Sequence, residues 1–165
     1  MRCLALDCSS VVGFALFERP GDKAPSLGSW PLPGTFGSVN GRRFVAFEDF
    51  LADFITVTRP DLVAFEAPIL PFARDLTNSS GDVVRLLVGL ATIVELVAER
   101  AKCRCVEVAV PTVKVKLAGR RFAAKTEMIV GAHRLGFVVE DDHQADAIGV
   151  ALCAYEHVGL EEVRA

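Results

Sequence analysis

The chain has 165 residues, 52% of them hydrophobic and 24% charged, and a formal net charge of −3. That balance excludes a disordered chain, and the acidic total confines any anionic partner to a local basic patch. With no cationic start leading to a cleavage site and no apolar run of roughly 18 residues, the expectation is a cytoplasmic protein of one domain, residues 1–165, with no membrane contact.

In chain order, "RCLALDC" and "GFALFE" read as two strands joined by the turn "SSVV", and "LGSWPLP" as a third after the loop "RPGDKAP". "PGTFGSVNG" is a Gly-rich loop. From Arg42 to Thr58, Phe44, Phe47, Leu51, Phe54 and Ile55 recur at helical spacing, and Pro60 stops the helix. "DLVAFEAP" has the continuous apolar run of a buried strand, and the loop "ILPFARDLTNSSG" follows it. A long helix is predicted over Asp82 to Lys102, striped by Val83, Leu86, Leu87, Leu90, Val94 and Val97. Next come a strand, "CRCVEVAVP", a basic connector, "TVKVKLAGRRF", and helices over Ala124–Leu135 and Gln144–His157. Strands alternating with helices predict an α/β architecture with a central sheet covered on both faces.

Five cysteines, an odd number, suit a reducing compartment. Cys3 and Cys153 sit in apolar runs and read as small core residues. Cys103 and Cys105 lack a second Cys/His pair at zinc spacing.

The carboxylates carry the chemistry. Asp7 ends the first strand and Glu66 ends a later one, and a charge at either place is costly unless paired or bound to a metal. In "VVEDDHQADAIGVA", His143 and Asp146 lie three residues apart, on one helical face. A sheet that packs this helix brings Asp7, Glu66, His143 and Asp146 to one end, an oxygen-rich set with one imidazole that suits Mg²⁺ or Mn²⁺. Two such ions about 4 Å apart activate a water and stabilise the leaving oxygen of a phosphodiester. The same residues have structural readings. Asp142 is an N-cap candidate, acidic residues favour a helix start, and Glu66 can pair with an arginine.

Across almost the whole length, the sequence resembles the RuvC-type Holliday-junction resolvases of the RNase H-like superfamily. "LALDCSSVVGFALFE" resembles their first hairpin and its catalytic Asp, matching Asp7; "DLVAFEAP" resembles the strand of the second carboxylate, matching Glu66. "VPTVKVKLAG" with "AAKTEMI" is similar to their lysine-bearing segment, which puts Lys114 and Lys125 on its basic positions. "HQADAIGVALCAYEH" resembles their final motif, with His143 where many members carry Asp. The sequence departs from cellular members in "CSS" after Asp7, and "EAP" looks more like phage-type relatives.

The resemblance implies an RNase H-like mixed sheet with helices on both faces. It also implies a Mg²⁺-dependent (or Mn²⁺-dependent) endodeoxyribonuclease that resolves four-way junctions by paired nicking, with two ions per site and a homodimer. Asp7, Glu66, His143 and Asp146 take the metal, and Lys125 affects the rate near the scissile phosphate. Lys114, Lys116, Arg120, Arg121 and Lys125 fall within twelve residues and form a phosphate-binding patch. Phe72 is the candidate for an aromatic inserted at the branch point, and Arg74, with Arg42 and Arg43, extends the DNA surface. The helix over Asp82–Lys102 is the candidate dimer face. The rival readings are a catalytically inactive RNase H-like protein that binds branched DNA, and an actin-like ATPase, which needs two such lobes and Gly-rich phosphate loops.

Overall fold

The computed structural model describes residues 1–34, 40–69 and 81–164, with side chains described as far as residue 159. Strands β1 (Cys3–Asp7), β2 (Val11–Phe17) and β3 (Ser26–Pro31) are followed by helix α1 (Gly41–Thr58) and strand β4 (Leu62–Glu66). Then come α2 (Gly81–Arg100), β5 (Arg104–Val108), α3 (Val110–Ala118), α4 (Lys125–Arg134) and α5 (Asp142–Arg164). The five-stranded sheet has the order β3-β2-β1-β4-β5. β1 pairs antiparallel with β2 and β2 with β3, whereas β4 runs parallel to both β1 and β5. The sheet is therefore mixed, as expected, with an RNase H-like layout.

Side-chain alternation along the strands sorts the molecule into two cores. Leu4, Leu6, Val12, Leu16, Val63 and Phe65 face α1 and α2, meeting Phe47, Leu51, Leu90 and Val94. Cys3, Ala5, Ala15, Phe17, Leu62 and Ala64 face α3, α4 and α5, meeting Val113, Met128, Ala145, Ile148 and Ala151. The same alternation decides where the strand-end carboxylates point. Asp7 has the parity of Cys3 and Ala5, and Glu66 that of Leu62 and Ala64, so both belong to the α5 side. The parallel register sets Leu6 beside Phe65, which brings Asp7 and Glu66 to adjacent strand ends.

The segment expected as a basic connector is instead helix α3. Val113 and Leu117, one turn apart, are buried under it, Pro111 sits in its first turn, and Gly119 closes it at φ 74°. α5 starts at Asp142 and runs past His157, longer than the spacing predicted. Its N-cap is Asp141 rather than Asp142, because Asp141 Oδ1 accepts the Gln144 N–H at 2.8 Å. Arg43 is buried, donating to the carbonyls of Pro33 and Gly34 and to Asn40 Oδ1, so it anchors a loop and extends no DNA surface. Cys3 and Cys153 are buried, as read. Among the described residues no helix is long and apolar enough to cross a membrane.

Candidate active site

Three elements deliver the site. β1 ends on Asp7, β4 ends on Glu66, and the N-terminal end of α5 carries His143 and Asp146. What brings α5 this close is a missing side chain. Gly13 is the register partner of Asp7 on β2, and a Cβ built there would stand 2.2 Å from the backbone oxygen of His143. With hydrogen in that place, the helix start lies directly on the strand. Ala145, Ala147, Ala151 and Ala154, all fully buried, continue the close contact along α5.

His143 Nδ1 lies 2.7 Å from Asp7 Oδ2. An ionised carboxylate can only accept, so the imidazole proton is assigned to Nδ1, and the lone pair of a neutral imidazole then falls on Nε2. This hydrogen bond raises the His143 pKa above its ordinary value despite partial burial. Burial is the main force on the carboxylates. It raises Asp7 even against the hydrogen bond from His143. Burial, then the charges of Asp7 and Asp146, push Glu66 up to about 8. Burial, then Asp7 and Asp142, push Asp146 up to about 7. Asp7 thus penalises both Glu66 and Asp146, and Asp142 penalises Asp7 and Asp146, so these groups share one environment.

Among the described residues no three His, Cys, Asp or Glu side chains stand as a ready-made cation cage. The donor set nonetheless fits a hard divalent cation. Asp146 Oδ1 is buried with no hydrogen-bond partner, and a buried carboxylate oxygen is stable in that state only when protonated or facing a cation.

The cations divide into two groups. Lys114 acts on the site, its charge opposing the upward shifts of both Glu66 and Asp146. Lys125 acts on it as well, with Nζ 2.5 Å from Asp142 Oδ2 and its charge felt at Asp7. By contrast, Lys116 is ion-paired to Glu156 and Arg120 to Glu127. Arg121 is exposed in the turn between α3 and α4. Phe72 and Arg74 lie outside the described residues. Two participants were not read from the sequence as such. Asp142 acts as the partner of Lys125 rather than as a cap. Gly13 was recoverable only as a glycine inside an otherwise apolar strand.

No family model matches the chain. It is 28% identical over 162 residues to the crossover junction endodeoxyribonuclease RuvC of Dehalococcoides mccartyi, covering 95% of this chain and 93% of that protein. Among solved structures it is similar to Thermus thermophilus RuvC in complex with a Holliday junction substrate, at a TM-score of 0.72 and 19% identity over 96% of each chain. Thermus thermophilus RuvC is similar again in a second structure, at a TM-score of 0.69 and 22% identity over 96% of this chain and 97% of that one. These similarities bear out the RNase H-like fold and the resemblance to RuvC-type resolvases read from the sequence.

Proposed function

We propose that this chain, RuvC-like along nearly its whole length, is a metal-dependent endodeoxyribonuclease that nicks four-way DNA junctions. The carrying observation is the meeting of Asp7, Glu66, His143 and Asp146 under the start of α5, with Lys114 and Lys125 on its flanks. The carboxylates of Asp7, Glu66 and Asp146 would hold Mg²⁺ or Mn²⁺, two ions per site, with His143 Nε2 available as a further ligand. When bound, the cations supply Lewis acidity toward the attacking water and the leaving oxygen.

The remaining work belongs to the protein's own groups. Lys114 and Lys125 place the phosphate backbone against the carboxylates without reading bases. Asp7 fixes the imidazole, whose Nε2 serves either as a ligand or as the acceptor of a proton from the water. Attack of that water forms one new P–O bond and breaks the bond to the leaving oxygen, which takes a proton from solvent. Residues 1–165 act as one nuclease domain, and two copies cut opposed strands. The dimer face expected on α2 uses its buried stripe against the sheet and presents Val88 and Leu96 outward.

The test is a panel of four-way junctions, flaps, forks and linear duplexes, with and without Mg²⁺ or Mn²⁺. Paired metal-dependent nicks in the junction are expected. Junction binding without nicking under either metal would instead support an inactive branched-DNA-binding protein, and no binding at all would overturn both readings.

A further inference from the structure

Beside the carboxylates, and separate from them, lies a cavity of about 440 Å³. It opens where β4 and β5 end, one residue beyond Glu66. Its walls include Pro68, Ile69, Pro111 and Phe122, and two cationic residues, Lys114 and Arg121, complete them. Phe122 is 88% exposed, more than any other large apolar side chain among the described residues. An aromatic ring in water at the rim of an apolar cavity, flanked by cations, is uncompensated in the free protein.

We propose that this cavity receives an unstacked nucleobase of the DNA strand held at the carboxylates, with Phe122 stacking on its face. Chemistry and position agree on that occupant. A nucleotide pairs an apolar, planar base with an anionic phosphate, and the cavity pairs apolar walls with two cations. Lys114 belongs to both places, lining the cavity while its charge acts on Glu66 and Asp146. A strand whose phosphate sits between Lys114 and the carboxylates therefore has a neighbouring base within reach of Phe122. The inference rests on the nuclease reading above and adds to it a base-accepting subsite.

The test uses four-way junctions carrying 2-aminopurine at single positions around the exchange point, bound by the full chain without divalent metal. One position should change its fluorescence on binding to the wild type and to Phe122→Tyr, but not to Phe122→Ala. Junction affinity should fall roughly 5- to 150-fold in Phe122→Ala and recover in Phe122→Tyr. Folding is not at stake at so exposed a position, and unchanged thermal melting checks this. The inference is overturned if Phe122→Ala keeps both the signal and the affinity. It is also overturned if the substitution changes the oligomeric state instead, which would make the cavity a protein interface. In either case the wild type still binds and nicks junctions, so the nuclease reading survives. A wild type that binds no junction overturns both.

Discussion

The two faces of the sheet are built to different rules. On the α1–α2 face the packing residues are large. Phe47, Leu51, Phe65, Leu86 and Leu90 are essentially inaccessible, and Trp30, Phe50 and Phe54 stack beside them. On the α5 face, small residues predominate where helix meets sheet. Ala5, Ala15 and Ala64 meet Ala145, Ala147, Ala151 and Ala154, and Gly13 has no side chain at all. Bulk on one side removes much apolar surface from water, and so does most for stability. Smallness on the other brings the helix start onto two strand ends, so that charged groups from distant parts of the chain share one buried space. The first face holds the fold, and the second builds the site.

Substitutions should separate these roles, the largest effects falling on the ligands. Asp7→Asn, Glu66→Gln and Asp146→Asn should each reduce junction nicking to background while leaving binding and folding largely intact, because the amides keep shape and lose charge. His143 sharpens the assignment. As a ligand it should tolerate His143→Asp, and His143→Ala should regain rate at high metal. As a proton acceptor it should instead give an acidic limb in the pH–rate profile that extra metal does not remove.

Next in size are the packing changes. Gly13→Ala should lower nicking on the order of 10²-fold by pushing His143 off Asp7, with a far smaller loss of thermal stability. Phe47→Ala, from the other face, should cost about 3–5 kcal/mol in denaturant unfolding while the remaining folded protein keeps its rate. Equal effects of these two substitutions on rate would dissolve the distinction between the faces.

A smaller effect is the pH dependence of stability. Asp7, Glu66, His143 and Asp146 all have raised pKa values in the folded chain, with Asp146 near 7 and Glu66 near 8. The native state therefore binds more protons than the unfolded state from about pH 4 upward, so these groups lower stability as pH rises toward 8. Melting in chelator should show that decline, and Mg²⁺ should reverse it most strongly at pH 8. A Mg²⁺ effect that is greatest at pH 5 would contradict the assignment.

Smallest are the basic residues. Lys114→Ala or Lys125→Ala should shallow the salt dependence of junction binding by about one unit of slope. Lys116→Ala and Arg120→Ala, paired to Glu156 and Glu127 rather than to a carboxylate that acts on the site, should change it little. Equal losses from all four would make the patch a diffuse one.

Much of this was legible in the sequence because period-2 alternation fixes which face a strand residue occupies. "CLALD" and "LVAFE" each end on a carboxylate with the same parity, and His143 and Asp146 have helical spacing. What the pattern could not supply was distance. Nothing local to "VVGFALF" says that Gly13 will lie against His143, since that contact depends on the register of β1 with β2 and on the docking of α5. Helix α3 was hidden for another reason. Its lysines dominated the segment, although Pro111, Gly119 and the Val113–Leu117 spacing mark both ends and the buried side. In the same way Asp141 and Asp142 are chemically interchangeable as caps, and only the backbone's entry into α5 assigns the cap to Asp141 and leaves Asp142 to Lys125.

The central claim is that α5 completes a cation site begun by the strand ends. The most direct test is a Mn²⁺ titration at pH 8, followed by electron paramagnetic resonance of the free ion, in the wild type and in Asp146→Asn. This variant leaves Asp7 and Glu66 in place and removes one charge from the helix. The account predicts saturable binding by the wild type and an affinity roughly 10- to 100-fold weaker in the variant, the scale on which groups around a metal act. Equal affinity in the two proteins would mean that the helix contributes no ligand, and the site would not be the one described.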